Sequence, residues 1–274
     1  MPRLAQNTID GHITRGKTAR NRLRRVDNFL LITEGPLLRR ADRAFAGSLV
    51  VDLGYGAEPF TTLESAARLR RANPHLPMLG VEIEPERVAR AAPYADDLTT
   101  FRLGGFNLPL YPGESVRLIR AFNVLRQYDE ADVTGAWQTL ARSVLPGGLI
   151  IEGTSDPFGQ IWVANLLRRA TAALIVEGLI FSTNFRQGFD PAMFQPVLPK
   201  NHIHRMLPGE PIFAFMAAWK QAARATIAHR EWGLRQWYAA SAHALADQGY
   251  AVDTRPKLLR RGYVVWRDPH VLRL

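Results

Sequence analysis

The stretch Asp52-Leu53-Gly54-Tyr55-Gly56-Ala57-Glu58-Pro59 sets two carboxylates around two glycines. Glycines one residue apart permit a tight turn and close approach of a ligand to the backbone. Asp52 stands just before the first glycine. Glu58 stands within a residue of the place where a dinucleotide-binding turn carries its third glycine. A pyrophosphate at the helix N-terminus that follows would meet both negative charges at short range. This disfavours NAD and FAD and favours a ligand with a cationic or hydrogen-bond-donating end. A purely structural role for Asp52 would be a buried carboxylate held by N–H groups of the turn. Further along, Gly80-Val81-Glu82-Ile83-Glu84-Pro85 carries a second pair of acids. Glu82 lies one strand–helix–strand step after Asp52, where an acid can accept both ribose hydroxyls of an adenosine. Glu84, beside Pro85, suits a helix start better. S-adenosylmethionine meets these demands: it has an adenosine, a sulfonium and an ammonium, and no phosphate.

Such a site needs strands that end together. The β-branched run at 48–54 ends in glycine and reads as a buried parallel strand. Further strands are expected at 78–84, 100–103, 116–124, 149–153, 179–183 and 263–266. Helices are expected at 59–71, with Pro59 in the first turn or, alternatively, Thr61 and Glu64 as a capping box two residues later, and at 85–92 and 131–144. More helices are expected at 159–171, 211–228 and 232–247. Strands alternating with helices predict an α/β, Rossmann-like fold: a mostly parallel sheet of about seven strands, helices on both faces, and a helical insertion. Residues 1–43 form a basic arm, and residues 44–274 a domain with an insertion at about 157–248 that is expected to cover a site.

The series VVDLGYGAEPFTTLE, GVEIEPERVARA, RLGGFNLPL, RAFNVLRQY and LPGGLIIEG resembles the motif series of class I S-adenosylmethionine-dependent methyltransferases over about residues 48–153, with a weaker tail to 266. NRLRRVD, RAFNVLRQYDE and LPKNHIHRMLPGEP are similar to an uncharacterised actinobacterial branch. The resemblance implies that Asp52, Gly54 and Gly56, with Tyr55 between the glycines, hold the methionine end of the cofactor. It implies Glu82 on the ribose, Ile83 packed on the adenine and Gly105 and Phe106 at the adenine border. Phe122 and Asn123 would lie near the transferred methyl. Two positions depart from the pattern. Gly104-Gly105 replaces a Gly-Asp pair, leaving adenine recognition to backbone groups or Asn107. Glu58-Pro59 replaces the usual third glycine.

The expected acceptor is a small molecule. The alternatives are RNA, engaged through the basic arm, and a non-catalytic S-adenosylmethionine-binding protein. Methyl transfer from a sulfonium proceeds largely by positioning, so no general base is required. Asp156, His202, His204 and Tyr128 are the candidate bases, and no catalytic residue is assigned. Asn201 to His204 reads as a polar loop rather than a metal site. Trp219, Trp232, Trp237 and Tyr238 read as core packing more than as an aromatic acceptor pocket. The absence of cysteine excludes disulfides, cysteine-ligated zinc and the cysteine nucleophile of pyrimidine C5 methylation. It is compatible with a cytoplasmic protein.

The 274 residues carry a net charge of +10, and only Lys17, Lys200, Lys220 and Lys257 are lysine. Such an arginine bias can be a coding habit; it can also attract polyanions. The arm concentrates it, with Arg3, Arg15, Lys17, Arg20, Arg22, Arg24, Arg25, Arg39, Arg40 and Arg43 against Asp10, Asp27, Glu34 and Asp42. Its apolar residues from Val26 to Leu38 need a surface to bury against, so the arm is expected to be a lid over the strand exits. The sequence has no apolar run long enough to span a membrane; its longest apolar stretch is interrupted by Glu177.

Overall fold

A computed structural model describes residues 8–17 and 19–267. The strands are β1 (Leu49–Leu53), β2 (Met78–Glu82), β3 (Thr99–Leu103), β4 (Val116–Phe122), β5 (Val144–Ser155), β6 (Ile161–Arg169), β7 (Leu174–Thr183) and β8 (Tyr263–Trp266). They form one sheet in the order β3-β2-β1-β4-β5-β6-β7-β8. The first five are parallel, and β6, β7 and β8 add on as an antiparallel meander. The helices are α1 (Arg24–Thr33), α2 (Gly35–Arg39), α3 (Phe60–Leu69), α4 (Pro85–Ala91), α5 (Glu130–Ser143), α6 (Lys200–Ile203), α7 (Pro211–Ala225), α8 (Leu234–Asp247) and α9 (Pro256–Leu259).

Both faces of the sheet are covered, which is why the strands read as continuous apolar runs rather than alternating ones. Leu49, Val51, Ile119, Ile150 and Val163 point to the side of α5, α7 and α8. Val50, Leu118, Ile151 and Trp162 point to the side of α1, α3 and α9. This is a Rossmann-like arrangement. Its strand order reverses between β1 and β4, so a crevice opens beyond their carboxyl ends.

The sheet has eight strands rather than about seven among the described residues, and the difference lies after β5. Residues 159–171, expected to be helical, contain β6. Its Trp162, Val163, Ala164, Leu166 and Leu167 are buried on both faces. Pairing with β5 and β7 decides the conformation over the local preference of an Ala/Leu/Arg-rich segment. Helices α7 and α8 pack on one sheet face. Trp219, Trp237 and Tyr238 are buried there with Phe181, Phe189 and Phe215, whereas Trp232 is 68% exposed. Among the described residues, no helix is long and apolar enough to cross a membrane.

The N-terminal segment has two parts. Val26, Phe29, Leu30, Leu37 and Leu38, on α1 and α2, bury against the sheet face rather than over the strand exits. The polar residues before α1 are the ones that cross those exits, as their hydrogen bonds to the exit loops show.

Candidate functional site

Asp52 is the last residue but one of β1 and is 2% exposed. Its Oδ2 accepts hydrogen bonds from the Thr61 and Thr62 hydroxyls of α3, at 2.7 and 2.8 Å. Its Oδ1 accepts from Arg120 Nε at 3.1 Å and lies 2.9 Å from Arg120 Nη2. Arg120 comes from the centre of β4 and also bonds Asp27 of α1 and the Thr61 carbonyl. Asp27 in turn takes Ser65 Oγ and Arg68 Nη1, each at 2.9 Å. The first charge of the glycine turn is therefore neutralised within the protein, by side chains rather than by turn N–H groups. The alternative capping box does not form. Thr61 serves Asp52, and Glu64 accepts from the Asn21 N–H at 2.8 and 3.0 Å.

The turn itself has Gly54 at φ +70° and Gly56 at φ +90°. A Cβ on Gly54 would lie 2.5 Å from Val124 Cγ2, so glycine is required for conformation and space alike. Tyr55, between them, is buried, and burial beside Glu82 and Asp52 pushes its phenol above the ordinary range.

Glu82 closes β2 at 1% exposure. Its carboxylate accepts from the Gly56 N–H and from its neighbour Ile83 N–H, each at 2.9 Å, and from Arg87 Nη1 at 3.4 Å. This acid thus ties the β2 exit to the β1 glycine turn. Glu84 shares the Arg87 guanidinium, pairing with its Nε at 2.6 Å.

At the β4 exit, Phe122 is buried edge-on against Trp162. Asn123 has φ +62°, a left-handed conformation uncommon outside glycine. Its side chain accepts from the Ser155 N–H at 3.0 Å and donates to Ser155 Oγ at 3.1 Å, bridging the β4 and β5 exits. Arg22 joins them from the arm, donating to Ser155 Oγ at 3.0 Å and to the Ser155 and Asp156 carbonyls.

The structure gathers the ten residues singled out from the sequence around two adjoining hollows that share Thr14, Leu53, Gly54 and Val124. Asp52, Gly54, Tyr55, Gly56, Phe122 and Asn123 line a cavity of about 300 Å³. Gly54, Glu82, Ile83, Gly105 and Phe106 line a niche at the β2 and β3 exits. Arg15, Lys17, Arg22 and Arg126 also line the cavity, where Asp52 is the lone carboxylate among the described lining residues. From residues 157–248, only Pro157 is among them. It is the arm that covers the cavity, through Thr14 to Lys17 and Arg22.

Asp156 and His202, two of the candidate bases, lie in structural roles, and Tyr128 borders the niche. Asp156 Oδ1 accepts from the Gln160 and Ile161 N–H groups and shapes the β5–β6 turn. Tyr128 lines the niche and stacks on His12 at 3.7 Å. His202 Nε2 lies 3.1 Å from Asn165 Oδ1, and burial pushes its imidazole down to about 4. Asn165 also donates to Glu152 of β5 at 2.9 Å, and burial pushes that carboxyl up to about 7. Among the described residues, no group of three or more His, Asp or Glu could hold a metal ion.

No family model matches the chain, and no curated protein matches it. Among solved structures it is similar to the N-methyltransferase NodS from Bradyrhizobium japonicum WM9, at 15% identity over 47% of this chain and 69% of that one, TM-score 0.31. It is similar to human N-acetylserotonin methyltransferase in complex with SAM, at 20% identity over 48% of this chain and 36% of that one, TM-score 0.32. It is also similar to the plantazolicin methyltransferase BamL, at 14% identity over 50% of this chain and 47% of that one, TM-score 0.37. The chain spans less than two thirds of the last two proteins.

Proposed function

We propose that this chain is a class I S-adenosylmethionine-dependent methyltransferase acting on a small molecule. One observation carries the reading. A glycine turn, a buried acid and a left-handed asparagine converge at the carboxyl ends of three parallel strands, around two joined hollows. The niche suits an adenosine, with Glu82 accepting from the ribose and Ile83 and Phe106 against the base. The larger cavity suits the methionine end and the acceptor. S-adenosylmethionine supplies a methyl group on a sulfonium, and the chain's part is to hold the acceptor in line and keep water out.

Asp52 acts in this reading through the turn it braces, since its oxygens already serve Thr61, Thr62 and Arg120. The cofactor's carboxylate, and any acid group on the acceptor, would meet the positive charge of Arg15, Lys17 and Arg126. A cavity of about 300 Å³ roofed by the chain's own arm favours a small acceptor over a polymer. The RNA alternative draws on the arm's charge. However, Arg22 is turned onto Ser155, Arg25 onto Ser182 and the Arg261 carbonyl, and Arg40 onto Asp42. Titration calorimetry tests the reading. S-adenosylmethionine and S-adenosylhomocysteine should bind and NAD should not; saturation by NAD alone would overturn it. Binding without methyl transfer to any acceptor in a metabolite extract would favour the non-catalytic alternative.

A further inference from the structure

The niche in which this reading places adenine is already filled by the chain itself. Its free volume is about 20 Å³. The Asp10 carbonyl accepts from the Phe106 N–H at 2.8 Å, and the Asp10 N–H donates to Asn107 Oδ1 at 2.8 Å. Asn107 Nδ2 donates onward to the Thr8 carbonyl at 2.8 Å. Gly11 follows at φ +129°, and a Cβ there would lie 2.9 Å from Tyr128 Oη, 3.3 Å from Ile83 Cδ1 and 3.7 Å from Phe106 Cε2. Next, the His12 N–H donates to Tyr128 Oη at 2.7 Å. Gly105 permits this approach, because a Cβ on it would stand 1.9 Å from the Asp10 oxygen.

The Asp10 peptide offers Phe106 and Asn107 one acceptor and one donor side by side. The edge of adenine offers the same pair: a ring nitrogen that accepts and an exocyclic amine that donates. A single N–H and a single amide oxygen cannot serve both ligands well at once. Resting on the methyltransferase reading, we infer that residues 8–12 are an internal competitor for adenosine. The Asp10 peptide stands where the adenine edge would be read by the Phe106 N–H and Asn107 Oδ1, and cofactor binding displaces it. The apparent affinity is then lowered by the fraction of molecules whose strap is seated. A lid behaves in the opposite way, because it gains contacts when ligand is bound.

Gly11→Val separates the two. Its Cβ meets Tyr128 Oη and its φ disfavours a β-branched residue, so the strap is expelled while every niche residue is kept. Gly11 is exposed and outside both apolar cores, which leaves the fold intact. S-adenosylhomocysteine should bind this variant roughly tenfold more tightly than the unaltered chain, measured by calorimetry. In the unaltered chain, saturation with S-adenosylhomocysteine should speed hydrogen exchange at the Asp10 and His12 amides, both of which are hydrogen-bonded without ligand. Equal or weaker binding by Gly11→Val, or slower or unchanged exchange at those amides in a sample shown by its heat to be saturated, would overturn the competitor and leave the cofactor reading standing. No heat with either protein would overturn both.

Discussion

Asp27 on α1 and Asp52 near the end of β1 share the guanidinium of Arg120, although 25 positions part them in the chain. All three side chains are nearly inaccessible to water. The chain of charges ties the arm's first helix to the strand whose exit forms the glycine turn. It also explains how a core arginine is tolerated in β4: its donors meet two carboxylates and a backbone carbonyl.

Arg120→Met should therefore be strongly destabilising. It leaves two buried carboxylates without their shared cation, a loss on the order of 3–5 kcal/mol. Adding Asp52→Asn to Arg120→Met should recover part of this, because Asp52 is the carboxylate left without a cation, whereas Asp27 keeps Arg68 Nη1 at 2.9 Å. Urea unfolding of the two variants checks it. A loss within 1 kcal/mol, taken as about the size of an ordinary surface substitution, would mean that the carboxylates are solvated instead.

Glu82→Ala should weaken binding of S-adenosylhomocysteine much more than Glu84→Ala. Losing a charged acceptor to the ribose would cost about 1.5–3 kcal/mol. The glycine turn would also lose its anchor at the Gly56 N–H. Glu84 pairs with Arg87 Nε, so its removal should cost little affinity. Calorimetry on both variants decides; equal effects would show that the ribose is read elsewhere.

Much of the parallel half was legible because buried parallel strands leave plain traces: a β-branched run, then glycine, then a helix. The exits of β1, β2 and β4 follow from those runs, and with them Asp52, Glu82 and Asn123. Other features leave no such trace. Arg117 and Arg120 sit in the core of β4, where composition alone predicts exposed side chains. Arg117 is held by the Ser48 hydroxyl and by carbonyls of Leu37, Leu38 and Arg40, partners that no residue pattern announces. Strand β6 was hidden by helix-forming residues whose conformation is set by β5 and β7. The seating of Asp10 depends on backbone groups, so side-chain identity at that position says nothing about it.

Glu152 gives the stability a pH signature. Burial raises its carboxyl to about 7, so the folded state holds a proton that the unfolded chain releases near the ordinary carboxylate value. Stability from this group is fully present below about pH 4.5 and falls as pH rises, until the folded carboxyl ionises near 7. His202, pushed down to about 4, acts in the opposite sense between about pH 4 and 6.5. The comparison of Glu152→Gln with the parent isolates the first effect. The variant should gain on the order of 2–3 kcal/mol relative to the parent between pH 5 and pH 8. Urea midpoints at both values check it, and a difference independent of pH would place the titration outside this cluster.

Asn123 combines an uncommon backbone with a bridging side chain, and two substitutions separate the contributions. Asn123→Gly keeps the left-handed backbone at φ +62° but loses both bonds to Ser155. Asn123→Ala loses the same bonds but, unlike the glycine variant, keeps a Cβ in a conformation that costs about 1–2 kcal/mol for such residues. Alanine should therefore be the less stable variant by about that amount, although glycine has the greater unfolded-state entropy to lose. Both should weaken S-adenosylhomocysteine binding, because the bridge aligns the β4 and β5 exits that border the 300 Å³ cavity. Urea unfolding gives the stability order, and calorimetry gives the affinity. Equal stability of the two variants would show that the β4 exit relaxes freely. In that case, Asn123 would matter for its bonds to Ser155 alone.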